Sequence, residues 1–261
     1  MVATTAPSTG RRWMPSWLSS VIGVVALVAI WQLVGSTMFK EAGSVPTPSK
    51  VISQLVDDPS FYWRNLSTTM KAAAQGWLWG NVLAIGLALL VLVVPLVERP
   101  VIQIGVVSYC LPIVAIGPIF TIVFDGQTPK VVLAAMSVFF TTLIGALVGL
   151  RSADPTTLDV IHAYGGNSVH KLAKVRFRAG LPSLFAGLRV AAPAAVLGAI
   201  IGEYFGADRG VGVAMIAAQQ RLDAPTTWAL ALIATAAAGL AYAATALVGR
   251  LLTPWAPRNV T

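Results

Sequence analysis

The sequence predicts an all-α integral membrane protein of about six transmembrane helices. Three observations carry that expectation. Of the 261 residues, 56% are hydrophobic and only 11% are charged, where a soluble domain ordinarily carries about 25% charged residues. The mean hydropathy is +0.77, and the apolar residues arrive in long uncharged runs, each enough to cross the ~30 Å of hydrocarbon in a bilayer. The basic residues also fall unequally between alternate connecting segments.

Residues 1–16 form a polar tail that carries Arg11 and Arg12, and residues 17–261 read as a single transmembrane domain. The first apolar run, 17–39, exceeds the roughly 7–15 residues of a secretion signal's core and is read as a retained span. Residues 49–57 place Val51, Ile52, Leu55 and Val56 on one helical face, which suits an amphipathic helix at the membrane interface. Further spans are expected at 72–97, 101–124, 131–150, 182–202 and 228–249. Pro182 is expected in the first helical turn of its span, where a missing N–H costs nothing. Between the fourth and fifth spans lies one long hydrophilic segment, 151–180.

With the N-terminus placed in the cytoplasm, the inner segments hold eleven of the basic residues and three acids, and the outer segments seven of each. This asymmetry follows the positive-inside rule, puts both termini and the 151–180 loop in the cytoplasm, and removes nucleic acid as a reason for the net charge of +8. The lone cysteine, Cys110, lies in an apolar run and is expected to be a small buried hydrophobe. His162 and His170 are expected to be loop residues rather than a metal pair. No HExxH, GxSxG or GxxxxGK[ST] pattern occurs. Every Asp and Glu falls at a span end or in a loop, which argues against a proton-relaying secondary transporter, although an ion-coupled carrier and a membrane scaffold both remain alternatives.

The loop reads as two short helices around a glycine break. Thr156 or Thr157 is placed to cap the first, with Asp159 in its first turn, and Leu158, Ile161 and Tyr164 share a face. Gly165-Gly166 interrupts the chain, and Asn167 or Ser168 is placed to cap the second helix. A surface helix–turn–helix with apolar residues calls for a partner.

This loop resembles the cytoplasmic coupling loop of ABC importer permeases, whose pattern is Glu-Ala-Ala, a glycine and a later Leu-Pro. Asp159 stands at the glutamate, Val160-Ile161 at the alanines, Gly165 at the glycine and Leu181-Pro182 at the Leu-Pro, with Gly187-Leu188-Arg189 after it. The alanines are replaced by larger residues, and Arg178 stands where a proline is common. Val45-Pro46-Thr47-Pro48-Ser49, Leu111-Pro112, Gly117-Pro118, and Gly202-Glu203-Tyr204 followed by Gly210-Val211-Gly212 resemble the nitrate, sulfonate and taurine permease subgroup.

The resemblance implies a type I importer permease in a bacterial inner membrane. It also implies a second permease subunit, expected to be a copy of this chain, two cytoplasmic ATPase subunits and an extracytoplasmic solute-binding protein. ATP and magnesium would bind the ATPases, leaving this chain with no cofactor and no catalytic residue. The coupling residues it implies are Asp159, Ile161, His162, Ala163, Tyr164, Gly165, Gly166, Asn167, His170 and Leu172. Candidates for the translocation path are Tyr109, Pro112, Pro118, Ser137, Thr141 and Glu203. The implied solute is a small organic anion or oxyanion such as a sulfonate, taurine or nitrate, with a pyrimidine-type vitamin precursor as the alternative.

Overall fold

The structure is a computed structural model that describes residues 16–38 and 43–256. The expectations for residues 1–15, for the end of the first span at Phe39 and for Lys40, Glu41 and Arg258 lie outside the described residues. Every regular element described is helical. In chain order these are α1 (Ser16–Thr37), α2 (Pro48–Asp57), α3 (Pro59–Val93), a 3-10 turn (Pro95–Val97), α4 (Glu98–Cys110), α5 (Ile113–Val123), α6 (Thr128–Arg151), α7 (Pro155–Ala163), α8 (Ser168–Lys171), a π-helical turn (Leu172–Arg176) leading into α9 (Phe177–Tyr204), α10 (Val211–Gln220) and α11 (Ala224–Leu252).

Four helical segments are long and apolar enough to cross a membrane: α3, α6, the π turn with α9, and α11. The bent pair α4–α5 makes a fifth, and α1 contributes a shorter apolar stretch, Val21–Thr37. Helix α3 has 35 residues, about 50 Å at 1.5 Å per residue, so it projects well beyond the hydrocarbon. Of the apolar run expected at 72–97, the helix takes only the residues up to Val93, and the polar residues from Pro59 onward belong to the same helix. Asp58 starts it: its carboxylate accepts from the Phe61 amide at 3.0 Å, and Pro59 occupies the first turn, where it suits the helix.

The third span is not one kinked helix. The chain leaves helical geometry at Leu111, whose ψ is 121°, because a residue before proline is pushed out of the α region. Pro112 then opens α5, and the two halves meet at 99°. Pro118 stays inside α5. Pro182 also differs from expectation. The fifth span begins at Leu172, so Pro182 and Pro193 both lie inside the helix.

Helix α6 is the axis of the bundle, and glycines bring its neighbours against it. A Cβ at Gly76 of α3 would fall 2.3 Å from the Ala134 Cβ, and one at Gly80 2.4 Å from a Val138 methyl. From α9, a Cβ at Gly198 would fall 2.3 Å from the Ser137 hydroxyl, and one at Gly202 2.5 Å from the Lys130 Cα. Gly149 and Gly180 bring the same two backbones together at the other end of the contact. Lipid tails are as apolar as leucine, so spanning helices associate through this close backbone packing rather than through a hydrophobic effect.

At one end of the bundle, α2, α10 and the first turns of α3 and α11 share a core of Val51, Tyr62, Val211, Ala229 and Leu230. Val51 is fully buried there and Leu55 packs at its edge, whereas Ile52 and Val56 face outward. Helix α1 joins this end through Trp31, which stacks on Trp228 at 5.4 Å and donates to the Pro46 carbonyl at 3.0 Å.

Candidate functional site

The opposite end of the bundle carries the loop between α6 and α9. Asp154, not Thr156 or Thr157, caps α7. Its carboxylate accepts from the Thr157 amide at 3.1 Å and the Thr157 hydroxyl at 3.0 Å. These hydrogen bonds, the side-chain one foremost, hold the Asp154 carboxyl below its ordinary pKa. The helix ends in a paired-glycine stop. Gly165, at φ +78°, donates to the His162 carbonyl at 2.9 Å, and Gly166 donates to the Ile161 carbonyl at 2.8 Å. This is the Schellman arrangement, and it needs a residue free to take positive φ. Gly166 is fixed for a second reason: a Cβ there would fall 2.4 Å from an Ile161 methyl. Asn167 then caps the next helix by accepting from the His170 amide at 3.0 Å.

The residues expected to meet a partner are distributed unevenly. Asp159, His162, Ala163, Gly165, Asn167 and His170 are exposed. Tyr164 stands out at 90% exposure, beside Val160 at 52%. Leu158 and Ile161 are half-buried rather than presented with Tyr164 on one open face, and Gly166 is half-buried also. Leu172 is half-buried, packed against the cluster around Ala84, Phe139 and Leu143. His170 binds Asn167 through its ring at 2.7 Å, and among the described residues no metal-binding group occurs. The second loop helix is not a separate element. Ser168–Lys171 runs through the π turn directly into α9, so a displacement of the loop has a continuous helical path to Tyr204.

The path candidates separate into two groups. Tyr109, Pro112 and Pro118 lie on the exposed side of the bent pair, where Tyr109 also stacks on Phe140 at 4.8 Å. Cys110 is exposed there too, against the expectation of a buried thiol. Along α4 runs an open groove of about 380 Å³, lined by Pro100, Gln103, Ile104, Val107, Ser108 and Leu111. By contrast, Ser137 donates to the Leu133 carbonyl of its own helix at 2.9 Å, and Thr141 is half-buried beside Gly187.

Glu203 faces no open path in this chain. It is 2% exposed and sits at the centre of a buried polar cluster. Its carboxylate accepts from the Thr69 hydroxyl at 2.8 Å and from the Gly212 amide at 2.8 Å, with the Lys130 ammonium 4.0 Å away. The Val211 amide donates to Thr69 at 2.9 Å, and the Gly210 amide to Asn65 at 3.3 Å. A Cβ at Gly210 would fall 2.1 Å from the carboxylate, so glycine is what lets the backbone approach. Lys130, expected in an outer loop, is 1% exposed. The acid and the base are thus buried together, joining α3, α6, α9 and α10. A second buried bond crosses the middle of the bundle, where Thr142 donates to Asn81 at 2.5 Å. The sequence marked Glu203 and the Gly210-Val211-Gly212 triplet, but it did not show that Thr69, Asn65 and Lys130 meet them, nor that Asn81 meets Thr142.

Small-residue-packed apolar helices, a broken span and one exposed, doubly capped loop are the features of a multi-pass membrane protein. Residues 80–260 match the family described as binding-protein-dependent transport system inner membrane component, and the chain belongs to that family, the permease subunits of ABC importers. It is 28% identical over 240 residues to the formylaminopyrimidine transport permease protein ThiX of Halalkalibacterium halodurans, covering 91% of this chain and 96% of that one. It is 26% identical to the taurine transport system permease protein TauC of Escherichia coli K12, covering 94% and 92%. Its fold is similar to that of a chain of the inward-facing MetNI methionine ABC transporter, with a TM-score of 0.60 over 74% of this chain and 95% of the other at 17% identity. The fold is therefore that of a type I importer permease. Permeases of this family work in general with a binding protein and an ATPase.

Proposed function

We propose that this chain forms the translocation path for a small organic anion and is driven by two ATPase subunits that dock on residues 155–171. The observation that carries this reading is the loop itself: a helix stopped by two obligatory glycines, an exposed Tyr164, and unbroken helical continuation into a spanning segment. Capping holds the loop in shape without a partner, while the exposed Val160 and Tyr164 leave apolar surface for one to cover. ATP and magnesium bind the partner, and closure of the ATPases moves the loop, shifting the bundle between two states through differential contacts.

Two copies of the chain pair to enclose the path, with the bent pair α4–α5 facing it. The bias of Lys and Arg supports a cytoplasmic loop and cytoplasmic termini, and a binding protein delivers solute at the end formed by α2 and α10. Similarity to a taurine permease over nearly the whole chain supports a sulfonate-like anion. Similarity of the same extent to a formylaminopyrimidine permease supports a second reading, a pyrimidine-type precursor.

The test is purification in mild detergent from the native membrane. An ATPase is expected at one copy per permease. Gly165→Pro, which cannot take φ +78°, and Asp159→Lys are expected to lose the ATPase while still inserting in the membrane. Recovery of the chain alone under several detergents overturns the reading, and normal recovery of ATPase with either variant overturns the role of that residue.

A further inference from the structure

At the loop end of the bundle, Glu98 and Arg151 form a two-toothed ion pair. The two guanidinium nitrogens of Arg151 lie 2.9 and 2.8 Å from the two carboxylate oxygens of Glu98. The residues are 53 apart in sequence, and each sits where its helix favours its charge. Glu98 is in the first turn of α4 and Arg151 in the last turn of α6, so each charge complements a helix dipole. Paired N–H···O bonds between guanidinium and carboxylate also fix orientation, which a single point charge does not.

What the pair joins gives it a role. Arg151 stands immediately before the loop. Ser152 folds back onto Gly149 through its amide at 3.1 Å and its hydroxyl at 2.7 Å, Ala153 is buried, and Asp154 caps α7. The position of α7 is therefore set within three residues of Arg151. On the other side, Glu98 begins the half-span that ends at the break before Pro112. Elsewhere α4 meets α6 through apolar groups, among them Val101 in the cluster with Leu143 and Leu147, Gly105 against Phe140 and Leu143, and Tyr109 on Phe140. The hydrophobic part of these contacts is non-directional, so the ion pair supplies an orientation that burial alone does not.

We infer that Glu98 and Arg151 are positioning residues that make α4 and the docking loop move as one body, carrying loop displacement into the broken span. The inference rests on the reading that the loop meets an ATPase. Displacement thus leaves the loop by two routes, through the continuous helix into α9 and through the ion pair into α4.

The test uses the full permease–ATPase complex in a Cys110→Ala background with nitroxide pairs at exposed positions. Gln103 with Thr156 reports α4 against α7, and Thr156 with Leu240 reports α7 against α11. With magnesium-ATP, the 156–240 distance is expected to change by about the 1–2 Å typical of helix shifts or more, while 103–156 holds its distribution. Glu98→Gln and Arg151→Gln are each expected to let 103–156 shift or broaden with nucleotide. The exchanged pair Glu98→Arg with Arg151→Glu is expected to restore it, a rescue that simple loss of folding would not give. A 103–156 distance that changes in the parent as much as 156–240 overturns the inference, as does one that stays fixed in both single variants. Absence of an ATPase, with no nucleotide response in either pair, removes the docking reading itself and this inference with it.

Discussion

Thr69 and Glu203 meet at 2.8 Å across 134 residues of chain, and their contact closes the end of the bundle opposite the loop. The same hydroxyl accepts the Val211 amide, so one threonine links α3 to both α9 and α10. Removing one member of a buried charged pair leaves the other uncompensated, at a cost of about 3–5 kcal/mol. Glu203→Gln is therefore expected to lower the melting temperature in detergent strongly. Adding Lys130→Met should recover part of the loss, because it removes the orphaned charge. A double variant less stable than Glu203→Gln alone would refute the pairing.

Two glycines of α3 make a matched test of the packing. Gly76 has Ala134 where its Cβ would be, whereas nothing lies within 4 Å of the Gly86 position. Gly76→Ala is expected to cost about 1–3 kcal/mol by overpacking, and Gly86→Ala to be neutral or slightly stabilising through helix propensity. Thermal unfolding of the two variants in one detergent checks both.

The bond between Asn81 and Thr142 lies between fully packed helices. A double-mutant cycle with Asn81→Leu and Thr142→Val should give a coupling of roughly 0.6–2 kcal/mol, the range found for hydrogen bonds between membrane helices. A coupling near zero would mean that the two side chains do not meet.

The cap on α7 sets a pH dependence. Hydrogen bonds from Thr157 hold the Asp154 carboxyl below its ordinary value. Its contribution to stability is therefore fully present above the ordinary aspartate range, and it is lost as pH falls through the lowered folded value. Amide protection in α7, corrected for intrinsic exchange, should hold at neutral pH and decline only in that acid window. Asp154→Asn keeps an acceptor and should flatten the decline.

The long apolar helices and the glycine break in the loop were legible from residue order because they rest on local rules. A run of apolar residues marks where a helix is in lipid, and Gly165-Gly166 followed by Asn167 marks a stop and a restart. The same rules hide how far a helix continues once it leaves the bilayer. For that reason α3 reaches back to Pro59, and the fifth span to Leu172, which leaves Pro182 inside it. The 99° break at Leu111 does not follow from Pro112 in the sequence, because proline signals a disturbance and not its angle. Buried polar partners were the least legible. Lys130 looks like any loop lysine until α9 and the Gly210 turn close over it, and Cys110 looks like a core residue until its helix is seen at the rim.

The burial of Lys130 beside Glu203 also constrains the order of synthesis. The lysine leaves the ribosome about 70 residues ahead of its acid, which at about 5–20 residues per second is a wait of several seconds. During that interval the ammonium must stay in the aqueous or headgroup layer, because α6 has no counter-charge to offer it. The final seating of α6 therefore follows the emergence of α9, and the Gly210 turn is the step that seals the lysine away from water.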